Sequence, residues 1–205
     1  MCIRDRFSTF SNGKRKYQQA AAYILMLNTG LRTGEVLGLL NSDIDLANRV
    51  MHLNRGVKEI SKRDGVTAEK GREVKVGKLK SATSKRDVPL NDTAIEMILD
   101  LRNEFYFGED TPLIPDENGN FTRPVNFRKR YYRILKVAGI ETKGLHSLRH
   151  TFATNLVNGI KQADGTIKSL TPRQVADLLG HTTSEITEMY YVCLLYTSPS
   201  PRDRT

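Results

Sequence analysis

Tryptophan is absent from the 205 residues, and cysteine occurs only twice, at Cys2 and Cys193. With both cysteines at its ends, the body of the chain has no disulfide framework and no thiolate metal site to build on. No apolar run approaches the ~18 residues that a membrane-spanning helix needs. The first residues also lack the continuous apolar segment of a secretory signal. Acidic residues are the minority charge: 23 Asp and Glu against 32 Lys and Arg give a net charge of +9. That balance favours a polyanionic partner, nucleic acid before an anionic membrane surface. A cytoplasmic protein with no membrane segment is the expectation. No internal repeat is present, and 39% hydrophobic residues are enough to build the core of one domain.

The ends differ from the rest. Residues 1–6 and 193–205 share an Arg-Asp-Arg signature, hold both cysteines and do not continue the helical periodicity beside them. They resemble translated sequencing adaptor, so 1–6 and 193–205 are expected to be non-native and 7–192 to form the domain. A fragment truncated at both ends follows from that expectation.

Within the body, Tyr17 to Thr29 is rich in Ala, Leu and Met and predicts a helix stopped by Gly30. Thr33 is placed to cap the next helix, with Val36, Leu37, Leu39 and Leu40 on its buried side. Alternation predicts strands over 49–55, 72–79 and 85–90, with 41–48 as a turn and 56–73 as a long loop or flexible insertion. Helices are expected over 93–105 (Ile95, Ile98, Leu99 and Leu101 inward), over 125–137, and from Pro172 to Leu179. The sum is an α+β, mainly α, architecture with a small three-stranded antiparallel sheet.

Residues 144–156, GLHSLRHTFATNL, predict another helix with two faces. Leu145, Leu148, Phe152 and Leu156 form an apolar stripe, while His146, Arg149, His150 and Ala153 fall on another side. A guanidinium offers a planar fork of donors that suits phosphate, and an imidazole can take or give a proton near neutral pH. The pair reads as a phosphate-handling edge; a solvated polar face is the plainer alternative.

Four segments in order carry a family resemblance. TGLRTGEVLGL resembles the first-arginine box of the tyrosine recombinases, the phage-type integrases, and LKSATSKRDVPL their lysine hairpin. GLHSLRHTFATNL resembles the HxxR box, and LLGHTTSEITEMYY the segment carrying a second histidine and the nucleophilic tyrosine. The resemblance implies a catalytic domain without the family's N-terminal DNA-binding domain, acting on double-stranded DNA without metal or cofactor. It implies site-specific recombination, the integration or excision of a mobile element or prophage, through a 3′-phosphotyrosine intermediate. A type IB topoisomerase-like activity and a catalytically inactive DNA-binding fragment are the alternatives. By the same resemblance Arg32 and Arg149 clamp the attacked phosphate, His146 and His181 bond it or move the tyrosine proton, and Lys80 protonates the leaving 5′-oxygen. Glu35 orients the site. Tyr191 is the preferred nucleophile, with Tyr190 the alternative, since spacings of ten and nine residues from His181 both occur. A tetramer on DNA and an accessory DNA-bending or excision factor are implied partners.

Lastly, Arg128, Lys129, Arg130 and Arg133 are interleaved with Tyr131 and Tyr132 in the 125–137 helix, which predicts a DNA-facing element. A charged solvated face with the tyrosines in the core is the other reading.

Overall fold

The computed structural model describes residues 19–61, 72–78, 85–161 and 167–180. Its first helix, α1 (Ala20–Thr29), is buried along nearly its whole length and packs on α3 (Asp92–Glu104) and α5 (His146–Asn158). An apolar helix of this kind has no solvent face to keep polar, so it becomes the central post of the core. Gly30 ends it at φ +66°, and its N–H returns to the Met26 carbonyl at 2.9 Å.

The one-turn helix α2 (Thr33–Val36) follows, and its start differs from expectation. Arg32, not Thr33, is the capping position, because the Glu35 carboxylate reaches back to accept the Arg32 backbone N–H at 2.8 Å. Two glycines let this segment lie directly on a strand. A Cβ at Gly34 would come within 2.8 Å of the Val57 carbonyl oxygen, and one at Gly38 equally close to that of Arg55.

Strands β1 (Ile44–Asp45), β2 (Val50–Leu53) and β5 (Arg86–Pro89) form the three-stranded antiparallel sheet in the order β1-β2-β5. Met51 pairs with Val88 across it, and both are buried. The composition of the sheet departs from the sequence reading in two ways. Ile44–Asp45, expected in a turn, supplies one strand. The 72–79 strand is not in this sheet: β4 (Arg72–Lys78) instead pairs with β3 (Arg55–Ser61) as a separate two-stranded ribbon. Residues 56–61 are therefore strand, not loop. A third, two-residue ladder joins β6 (Ile160–Lys161) to β7 (Ile167–Lys168).

Helix α3 begins at Asn91, whose side chain accepts the Ala94 N–H at 2.8 Å. Its inward stripe is Ala94, Met97, Ile98 and Leu101, whereas Leu99, expected inside, is exposed. Helix α4 (Pro124–Val137) opens with proline, where the missing N–H costs nothing. Phe127, Tyr131, Ile134 and Leu135 face the main core, and the Tyr23 ring packs between Phe127 and Tyr131. In α6 (Pro172–Leu179), Thr171 accepts the Gln174 N–H at 3.3 Å, and Gly180 closes the helix in the left-handed conformation. Val175 and Leu179 of α6 join Ala153 of α5 in a second, smaller core.

Candidate active site

Glu35 is the centre of the site. Its carboxylate is 4% exposed yet accepts hydrogen bonds from two arginines that are far apart in sequence. Arg32 donates through Nη1 to Oε1 at 2.8 Å. Arg86, the first residue of β5, approaches with its fork, Nη1 to Oε1 at 3.1 Å and Nη2 to Oε2 at 3.2 Å. A third guanidinium, that of Arg149, lies 4.0 Å from Oε2. Burial by itself would raise the Glu35 carboxyl, but the bonds and charge of Arg86, followed by the bonds from Arg32, outweigh it and hold the group below the usual carboxylate range.

Arg149 is 2% exposed, a depth at which a guanidinium is tolerated only when its donors are engaged. Nη1 donates to the Gly30 carbonyl and Nη2 to the Leu179 carbonyl, each at 2.7 Å. One side chain on α5 thus joins the end of α1 to the end of α6. The two faces expected for this helix are redistributed as a result. Arg149 and Ala153 are its buried residues, while Leu148, Phe152 and Leu156 are only partly covered. The reason is that α5 is seated by long-range carbonyl partners as well as by apolar contact.

His146 stands one turn before Arg149, and its ring meets that of His150 edge-on with centroids 4.5 Å apart. Burial, and after it the charges of His150, Arg149 and Arg32, hold His146 below the ordinary histidine range. His150 is lowered too, by burial first and then by Arg149. Both shifts favour the neutral ring, the form that can accept a proton. A single-turnover pH profile is the check on this. If His146 takes a proton during the reaction, its acidic limb is expected below pH 6.5; a limb centred at or above that value removes His146 from the proton path.

The structure thus brings together Arg32, Glu35, His146 and Arg149 of the sequence-predicted set. Lys80, His181, Tyr190 and Tyr191 lie outside the described residues. Arg86 was missed as a site residue. A signal for it existed: in the alternating KRDVPL stretch, Arg86 shares its phase with the buried Val88, so it had to point inward. On α4, Arg128, Lys129 and Arg133 are exposed, whereas Arg130 is half-buried and donates to the Gln19 side chain. Tyr131 is in the core and Tyr132 is partly buried against it. Among the described residues no group of three or more His, Cys, Asp and Glu is arranged to hold a metal ion. No helix among them is long and apolar enough to cross a membrane.

Two arginines from distant segments, joined through a buried carboxylate with a histidine beside them, make an arrangement that can receive an anion. The sequence model of the phage integrase family matches residues 5–197. The chain belongs to that family. A XerC-like tyrosine recombinase of Caldanaerobacter subterraneus is 30% identical, across 99% of this chain and 53% of its own length. The transposase from transposon Tn916 of Enterococcus faecalis is 25% identical across 91% of this chain and 45% of its own. The chain therefore spans about half the length of these curated relatives. Among solved structures, the Tn1549 transposon integrase in complex with circular intermediate DNA superposes with a TM-score of 0.64 at 22% identity, covering 83% of this chain and 54% of that one. The XerA recombinase gives 0.59 at 21% identity, over 93% of this chain and 58% of its own. These likenesses establish the mainly helical tyrosine recombinase catalytic fold with small antiparallel sheets.

Proposed function

We propose that the protein cuts and rejoins double-stranded DNA at specific sites, through a 3′-phosphotyrosine, to integrate or excise a mobile element. The observation that carries the reading is the pairing of Arg32 and Arg149 around Glu35 with His146 alongside. Strand exchange without external energy requires that the phosphodiester bond be kept as a protein–DNA link, and so requires a nucleophile. In the proposed step the oxygen of Tyr191, or of Tyr190, attacks the phosphorus and the bond to the 5′-oxygen breaks. The phenolic proton passes to a histidine, His146 or His181, and Lys80 gives a proton to the departing 5′-oxygen. The guanidiniums of Arg32 and Arg149 offset the charge that builds on the non-bridging oxygens, usually the largest single contribution in such reactions. Rejoining reverses these transfers.

The exposed Arg128, Lys129 and Arg133 on α4 would neutralise DNA phosphates away from the reacting one. A cytoplasmic location, a tetramer on DNA and an accessory bending or excision factor belong to this same reading of the whole protein.

The test is a nicked duplex that traps the covalent intermediate, resolved on a denaturing gel. It is run with this chain and with the chain extended to the length of its relatives. Wild-type protein is expected to become attached to DNA, and Tyr191→Phe to show no attachment while Tyr190→Phe retains it. Loss only in Tyr190→Phe would transfer the nucleophile to Tyr190. No attachment in any form, extended chain included, would sink the mechanism.

A further inference from the structure

Arg86 has no place in the roles set out above, yet its guanidinium makes two hydrogen bonds to the Glu35 carboxylate where that of Arg32 makes one. Both terminal nitrogens of its fork are on Glu35, and its Nε donates to the Leu178 carbonyl at 3.0 Å. Its side chain is 10% exposed, so it is placed for these partners and not for solvent. The geometry mirrors that of Arg149. Arg149 takes the Leu179 carbonyl and Arg86 the Leu178 carbonyl, so two guanidiniums, one from α5 and one from β5, hold successive carbonyls at the C-terminal end of α6. Positive charge belongs at that end of a helix, where carbonyls have no partner within the helix.

We infer that Arg86 is a positioning residue for the DNA-cleavage step, fixing the plane of the Glu35 carboxylate and through it the aim of the Arg32 and Arg149 guanidiniums. This inference rests on the proposed recombinase function. Its physical content is the difference between two hydrogen bonds on the carboxylate and four. A glutamate side chain has three rotatable bonds, and without Arg86 its carboxylate keeps only the two bonds from Arg32, one of them from a solvent-exposed guanidinium. The fork of Arg86 grips both oxygens at once, and Nε anchors the fork itself to α6. Oε1 is the same atom that receives Nη1 of Arg32, whose side chain is 38% exposed and is the part of the cluster most open to an incoming phosphate. A turn of the carboxylate would carry Arg32 with it. Displacements of about 1 Å at a reacting centre cost on the order of a hundredfold in rate.

Arg86→Lys separates charge from geometry, since an ammonium keeps the positive charge but cannot form the fork. Wild-type and Arg86→Lys proteins are compared for single-turnover attachment to the nicked duplex at saturating DNA. One duplex carries an ordinary phosphodiester at the cleavage site, the other an uncharged methylphosphonate. On the methylphosphonate the guanidiniums have no full anionic charge to offset, so their aim matters less. Arg86→Lys is expected to leave DNA affinity within about threefold and to lower the phosphodiester rate by about 30–100-fold. On the methylphosphonate the deficit is expected to shrink to less than about fivefold. The ratio of the two rates within one preparation cancels the folded fraction, so a loss of stability alone cannot imitate this result. An equal deficit on both duplexes, or none on either, overturns the inference while leaving the recombinase reading intact. A wild-type protein that attaches to neither, extended chain included, overturns both.

Discussion

Glu35→Gln is expected to abolish DNA attachment at the level of a standard assay while leaving DNA binding intact or tighter. The substitution keeps the shape of the side chain and removes the one negative charge that Arg32 and Arg86 both bond and Arg149 approaches. It also replaces an acceptor oxygen with an NH₂, so a donor would face a donor where Arg86 now bonds both oxygens. Breaking a buried ion pair by removing one partner costs about 3–5 kcal/mol, because the other charge stays buried without compensation. For a domain of this size that amounts to a fall in melting temperature of roughly 10 °C. On the catalytic side, losing the carboxylate beside the two guanidiniums proposed to clamp the phosphate is expected to slow cleavage by about a thousandfold. DNA affinity moves the other way, if at all, because the protein gains one unit of positive charge.

The pH dependence gives an internal control. Glu35 is held below the ordinary carboxylate value of 4.5, so its contribution is fully present above that value and is lost as pH falls through the lower folded-state value. The gap in melting temperature between wild type and Glu35→Gln is therefore expected to be widest at neutral pH and to narrow below about pH 4.5. A variant that melts with the wild type at pH 7 would show that the three arginines do not depend on this carboxylate.

How much of this centre was legible in the sequence depended on whether the partners were local. Arg32 and Glu35 sit one turn apart, so their pairing follows from helical geometry and could be expected without a structure. Arg149 was read as an anion-binding residue, and nothing in its own segment marked it as a buried one. Its depth is set by the carbonyls of Gly30 and Leu179, which no periodicity rule connects to it. Arg86 lay between these cases. Its inward phase could be read from the alternation, but nothing local said that a carboxylate waited on that side.

The fold shows the same division. The 92–104 helix and its Asn91 cap are local features, and their boundaries were nearly legible. The β3 half of the β3–β4 ribbon was not, because its glycine and charges read as a loop, although β4 was expected as a strand. Only the pairing of Arg55–Ser61 with a partner more than ten residues away turns those residues into a strand. Leu99 failed for a smaller reason. With the core stripe centred on Ala94, Met97, Ile98 and Leu101, position 99 falls on the outer side of the helix.

Gly30→Ala is expected to damage stability and activity together. Two independent penalties meet there. The residue lies at φ +66°, where an L side chain costs roughly 1 kcal/mol or more. The added Cβ would also come within 2.5 Å of Cδ1 of Phe152 and 2.6 Å of Cδ2 of Leu179, well inside van der Waals contact. Overpacking of that kind costs about 1–3 kcal/mol on top. What makes the position functional as well as structural is its carbonyl, which holds Nη1 of Arg149. Phe152 lies on α5 with Arg149, and Leu179 supplies the other carbonyl that Arg149 grips. A methyl that pushes both away separates the two anchors of the buried guanidinium. The expected outcome is a fall in stability of about 3 kcal/mol together with a loss of DNA attachment larger than the unfolded fraction explains. Denaturant unfolding and single-turnover attachment on the same preparation measure the two effects. Phe152→Leu placed in the Gly30→Ala background reopens space beside the new methyl and relieves the clash while leaving the strained φ. It is expected to return part of the lost stability and a larger share of the attachment rate, since the Arg149 anchors move back together. If the double variant regained stability but no attachment, the Gly30 carbonyl would not be what holds Arg149 for catalysis.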